Sequence, residues 1–169
     1  MKSLCLVQGL VALALIVLAG CGFNPQTPTM DGDDGTTDEQ LVQAIMAEDA
    51  AKVEDLLAAG ANPNALDNDG NALLLLAAKT GHLDIVQFML DNGADVNSMM
   101  SPSGSGRTAL MEAVRNNRVQ VVDVLIARGA DVDQKESNSG FTALHFAAAF
   151  KSTDIVKNLI ENGADPNLQ

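Results

Sequence analysis

Gly60-Ala-Asn-Pro-Asn64 returns as Gly93-Ala-Asp-Val-Asn97, Gly129-Ala-Asp-Val-Asp133 and Gly163-Ala-Asp-Pro-Asn167. The four glycines are spaced 33, 36 and 34 positions apart, a period that marks a repeated supersecondary unit. A second landmark follows the first three: Asp69-Gly-Asn-Ala-Leu-Leu-Leu75, Gly106-Arg-Thr-Ala-Leu-Met111 and Gly140-Phe-Thr-Ala-Leu-His145. Between landmarks lie two short amphipathic patterns, in the second unit Leu74 to Thr80 and Leu83 to Leu90, separated by Gly81-His82. The spacing predicts two helices per unit. Thr108 and Thr142 can cap the first through their hydroxyls. The repeated glycine ends the second, where a left-handed residue is wanted. A helix pair this short cannot bury its apolar face alone, but stacked pairs share one core.

Residues 38–64 lack the turn motif yet keep Leu41, Ala44, Val53, Leu56 and Leu57 at helical spacing. They read as an N-terminal cap whose first helix starts at Thr37 or Asp38. On these landmarks the chain resembles the ankyrin repeat, whose unit is a β-turn followed by two antiparallel helices with a Thr-Pro-Leu-His opening. The resemblance covers residues 38–169, in units of about 38–68, 69–101, 102–137 and 138–169. It implies an all-α solenoid of four helix pairs with β-turn tips. Ala77-Ala78 and Ala147-Ala148 would keep helices close, and Ile85-Val86 and Ile155-Val156 would pack between layers. The departures are specific. Ala72 replaces the capping Thr, which should weaken that cap by about 1 kcal/mol. Leu75 and Met111 replace the His of the opening, and Lys151 stands where other units have Gly81 and Asn117. In the last unit Ile155, Val156, Leu159 and Ile160 match an internal repeat. Either they all face inward, or this end meets a partner or another copy.

Ahead of the array, Met1-Lys2 opens a run from Leu4 to Ala19 that is apolar apart from Gln8 and Gly9. Its 16 residues fall short of the roughly 20 that a spanning helix needs, and the pattern fits a secretory leader over residues 1–20. Leu18-Ala19-Gly20-Cys21 resembles the lipobox of bacterial lipoproteins. The resemblance implies acylation of Cys21, cleavage before it, and a lipid anchor of several chains, enough for stable attachment. Gly22, in place of the Asp that favours inner-membrane retention in that family, points to the outer membrane of a Gram-negative cell, with the protein facing the periplasm. Cys5 leaves with the leader and Cys21 carries lipid, so the mature chain has neither a free thiol nor a disulfide. Residues 21–37 hold Pro25, Pro28, Asp31, Asp33 and Asp34, with Phe23 and Met30 as the large apolar groups. This composition predicts a flexible, lipidated tether, in which Phe23 to Thr37 alone would reach roughly 50 Å at about 3.3 Å per residue.

Composition narrows the function. The 169 residues carry a formal charge of −12, and loss of Lys2 with the leader makes it −13. Nucleic-acid binding needs many cations to neutralise phosphates, so it is not expected. The same charge steers basic partners toward the protein. With no Trp or Tyr and five Phe, the core must be aliphatic. No metal or cofactor is expected, because His82 and His145 occupy repeat positions where the imidazole bonds nearby backbone and no thiol remains to join them. Asp31-Gly-Asp-Asp-Gly35 and Asp67-Asn-Asp-Gly-Asn71 resemble calcium-loop fragments but lack the closing Glu. No nucleophile elbow, phosphate loop or His-Glu-x-x-His occurs. An enzyme is not expected, and no site is assigned a catalytic role.

Function then rests on a surface. The resemblance implies protein binding through turn tips and the first-helix face. On these fall Asn68, Asp69, Asn71, Lys79 and Thr80 in the second unit, and Arg107, Arg115 and Asn116 in the third. Phe141 and Phe150 fall there in the fourth, either as interface anchors or as covers for their own turn. The tip entering the third unit is longer, with 13 positions from Gly93 to Gly106 against 10 and 11 elsewhere. Its Met99 and Met100 suit adaptable contact, although a tolerated insertion is an equal reading. The expectation is a membrane-anchored interaction module of the bacterial envelope, with an inhibitor or immunity role suggested by resemblance. The alternative is an envelope support protein that stabilises or localises a periplasmic enzyme.

Overall fold

Eight helices follow one another in the described residues, with no strand between them. The computed structural model describes residues 35–99 and 104–168. The leader, Cys21, the expected tether up to residue 34, and Met100 lie outside them. The helices are α1 (Gly35–Met46), α2 (Ala50–Ala58), α3 (Leu73–Thr80), α4 (Leu83–Asp91), α5 (Ala109–Arg115), α6 (Val119–Ala127), α7 (Ala143–Ala149) and α8 (Thr153–Glu161). They pair as α1 with α2, α3 with α4, α5 with α6 and α7 with α8. Each odd helix also touches the next odd helix, and each even helix the next even one. The result is an inner layer of α1, α3, α5 and α7 and an outer layer of α2, α4, α6 and α8. This is the all-helical repeat solenoid that the spacing predicts.

The core runs unbroken between the layers. Leu41, Ile45 and Val53 begin it, Leu73, Leu74, Ile85 and Met89 continue it, and Leu110, Met111 and Leu125 carry it on to Ile155 and Leu159. All five apolar residues expected to pack in the first unit are buried. At the far end Ile155 and Leu159 are fully buried, Val156 is half-buried, and Ile160 is exposed. The last unit thus faces most of its core residues inward. Ala148, expected between helices, is exposed, whereas its counterparts Ala78 and Val114 are buried.

Helix α1 starts at Gly35, ahead of the expected Thr37 or Asp38. Asp38 sits in its first turn, where a negative charge favours the helix dipole, and its Oδ1 accepts the Asn62 backbone N–H at 3.3 Å. A carboxylate committed to the neighbouring loop does not cap its own helix.

Helix ends follow one pattern. Gly60, Gly93, Gly129 and Gly163 all have φ between 88° and 96°. In each case the glycine N–H bonds three residues back and the following Ala N–H bonds five back, as in Gly93 to Leu90 and Ala94 to Met89, which satisfies the last carbonyls of the helix. Glu48, Asn117 and Lys151 close inner helices in the same way at positive φ, and Gly81, also at positive φ, bonds four residues back to Ala77.

The repeated Asn explains itself in space. Asn64 accepts the Asp95 N–H at 2.7 Å and donates to the Gly93 carbonyl at 3.0 Å. Asn97 accepts the Asp131 N–H at 2.8 Å and donates to Gly129 at 3.4 Å. Asp133 accepts the Asp165 N–H at 2.9 Å but, as a carboxylate, has no proton for the next carbonyl. These side chains form a ladder that joins the loops of successive units.

Candidate protein-interaction face

The inner layer and its turn tips surround a cavity of about 650 Å³. The tip of the second unit is built by Asp67, whose carboxylate accepts the Asp69 and Asn71 N–H groups at 2.9 and 2.8 Å and the Asn71 side chain. This tight turn sets Asn68 and Asp69 on the rim. The same cavity is lined by Arg107, Arg115 and Asn116 of the third unit, with Lys79 from α3 and Phe150 from the end of α7. Eight of the expected contact residues therefore share one cavity: Asn68, Asp69, Asn71, Lys79, Arg107, Arg115, Asn116 and Phe150.

Four others sit elsewhere. Thr80 turns its hydroxyl to the Ala77 carbonyl at 2.9 Å and so closes its own helix. Met99 pairs its backbone with Thr108 and is exposed outside the cavity. Met100 is outside the described residues. Phe141 is 45% exposed but lies over its own helix. It stacks on His145 at 5.2 Å and meets Phe146 edge-on at 6.0 Å. Phe150, 53% exposed, has no such cover and is the stronger candidate for an anchor.

The residue that sequence reasoning missed is Glu112. Its side chain is only 5% exposed, and its Oε1 accepts both Arg107 Nε at 2.5 Å and Arg115 Nη1 at 3.0 Å. The position is Leu76 in the second unit and Phe146 in the fourth, so helical periodicity treats it as part of the core face. A charged residue at that register was the one available signal. Arg115 also packs against the Phe146 ring, 5.9 Å from its centroid. Val42 and Met46 of α1 extend the apolar wall, and Met46 is 63% exposed.

The two histidines differ. His145 Nδ1 accepts the Thr142 N–H at 3.2 Å and lies 2.9 Å from the Thr142 hydroxyl, which ties the start of α7. His82 was expected to bond backbone but instead pairs with the Glu48 carboxylate at 2.9 Å, because the first unit ends its inner helix beside it with an acid. Thr108 caps α5 as expected, accepting the Met111 N–H at 3.4 Å, while Ala72 gives α3 no side-chain cap. Among the described residues, no group of three or more His, Cys, Asp and Glu is placed to hold a metal.

Stacked helix pairs that present a grooved face and loop tips define a repeat solenoid, a class of protein that acts through its surface. The chain belongs to the ankyrin repeat family. The model for three ankyrin copies matches residues 41–136, and the single-repeat model matches 139–169. The family is typically a non-catalytic protein–protein interaction module, and protein binding is what the repeats imply for this chain. Similar proteins include the nuclear factor NF-kappa-B p105 subunit of Gallus gallus, 37% identical over 120 residues, which are 71% of this chain and 12% of that protein. A putative ankyrin repeat protein of Rickettsia bellii is 37% identical over 110 residues, 64% of this chain and 33% of that protein. The mitochondrial disaggregase of Bos taurus is 30% identical over 129 residues, 76% and 19% respectively. The chain spans a third or less of the length of these relatives.

Proposed function

We propose that this protein is a lipid-anchored interaction module of the bacterial envelope. It holds a partner protein against the inner-helix face and restrains it, in the manner of an inhibitor or immunity protein. The observation that carries this reading is the groove between Met46 and Phe150. Two large exposed apolar side chains line a cavity that also holds Lys79, Arg107, Arg115 and Asn116, and exposed apolar groups among polar ones are what interface hot spots use. Cys21, after its leader and Gly20, supplies the anchor, and Gly22 favours the outer membrane. A mature charge near −13 steers basic surfaces toward the molecule over distances near the Debye length.

Two variants of the full-length protein test the two halves of the reading. Cys21→Ser is expected to move the protein from the membrane to the soluble fraction and to end incorporation of labelled palmitate. A Cys21→Ser protein that stays lipidated and membrane-bound would refute the anchor. Met46→Ala with Phe150→Ala, at wild-type yield and helicity, is expected to lose the partner recovered from envelope extract. Recovery of the same partner at the same level would refute the surface. A partner whose activity persists longer in the complex would replace the restraining role with a supporting one.

A further inference from the structure

We propose that the exposed end of the fourth helix pair is a docking face for a second copy of this chain, joined about a two-fold axis with α8 packed antiparallel on α8. This contact is separate from the groove and needs neither its occupant nor the lipid anchor. Its apolar part follows from register. Leu144, Ala148, Val156 and Ile160 stand where the second unit has Leu74, Ala78, Val86 and Leu90, and the third has Leu110, Val114, Val122 and Ile126. In those two units the first three of each set are at most 1% exposed. In the fourth, Leu144 and Val156 are only half-buried, Ala148 is exposed and Ile160 is 48% exposed. The last pair therefore leaves open an apolar strip that the two before it bury.

Charged neighbours of the strip show which way it points. Asp91 pairs with Arg128 of the following unit at 2.7 Å, and Asp123 accepts a hydrogen bond from the Asn158 side chain of the following unit. The same registers in α8 hold Glu161 and Lys157, so these two side chains stand on the face turned away from the array. Both are exposed, and neither enters an ion pair among the described residues.

Two observations select a second copy in this orientation. The opposite end of the array does not fit the strip. Its Gln40 and Lys52 are exposed at registers where later units bury Leu73, Ala109 and Ala143, or Ile85, Val121 and Ile155, to at most 1% exposure. Seating that end on the strip would bury an amide and an ammonium group against apolar side chains, which opposes head-to-tail stacking. The exposed end, by contrast, is complementary to itself. Antiparallel packing about an axis beside Asn158 and Leu159 sets Val156 against Ile160 of the second copy and Lys157 against Glu161 of the second copy. Each contact is made twice, as an isologous interface requires. The exposed charges of this pair are Lys151, Asp154, Lys157 and Glu161, two of each sign, so self-pairing leaves no charge in excess.

The test is sedimentation equilibrium of the full-length protein, in detergent matched to the buffer density, across a concentration series. A reversible dimer is expected, with a Kd of roughly 10–100 µM for a small contact. Ile160→Asp is expected to raise that Kd about a hundredfold or more, because an unpaired carboxylate would be buried in the seam. Lys157→Glu and Glu161→Lys should each weaken self-pairing about tenfold by setting like charges together. An equimolar mixture of those two variants should regain the wild-type Kd, since one copy then supplies both acids and the other both lysines. Helicity is expected to stay at the wild-type level in all three variants, whose altered side chains are exposed. Monomer throughout the series, polymers that grow beyond two copies, a dimer insensitive to Ile160→Asp, or a mixture no tighter than its components would each overturn the proposal.

Discussion

Lys151 closes α7 with φ 59°, at a register where the second unit has Gly81. A side chain in this left-handed conformation costs roughly 1–2 kcal/mol, and glycine returns part of that gain as chain entropy, about 0.5–1 kcal/mol. Lys151→Gly should therefore stabilise the protein by about 0.5–1 kcal/mol, read as a raised urea midpoint at unchanged slope. At Gly81 the demand is conformational, with φ 87°, since the only close neighbour of an added Cβ is the far end of the exposed Arg118 side chain, which can move aside. Ala72 is the complementary case. It is buried at a register where Thr108 and Thr142 are buried too, so Ala72→Thr fits and should add about 1 kcal/mol through a new cap, raising Tm by roughly 2–4 °C. An unchanged melting curve would mean that the hydroxyl finds no N–H of α3. Both weak points were legible in the sequence, because four copies of one unit expose any residue that departs from the others. Glu112 was not, because its partners come from the turn before α5 and from the next turn of the helix, and periodicity alone does not report who shares a carboxylate.

At the level of elements, α5 carries a buried acid where the neighbouring units have Leu76 and Phe146. Glu112→Leu leaves two mostly covered guanidiniums, 20% and 33% exposed, without their shared carboxylate, so it is expected to cost about 3 kcal/mol or more. A lowered urea midpoint at unchanged slope checks this, and stability within about 1 kcal/mol of wild type would show that the arginines turn to water without loss. Helix starts and ends were the most legible elements, since Thr108, the repeated glycines and the Ala-Leu pairs mark them locally. The start of α1 was not, because the Asp38 carboxylate is taken by the loop at Asn62, a contact 24 residues away. The aromatic group of Phe141, His145 and Phe146 likewise depends on how the tip folds back over α7, so Phe141 could not be told from an anchor before the tip was seen.

For the whole molecule, stability is a chain of neighbour contacts, each with its own strength. The Asn ladder gives two bonds at each of the first two junctions but one at the last, where Asp133 can only accept. Asp133→Asn should add about 0.5–1.5 kcal/mol. It should also slow amide exchange in α7 and α8 more than in α3 and α4, and uniform slowing across all units would argue against a local seam. Such a seam has a mechanical meaning. If the chain is lipid-anchored as proposed, a partner held at Phe150 pulls on the unit with the fewest loop bonds to its neighbour, so tension between membrane and partner would release the grip before it tore the remaining repeats apart.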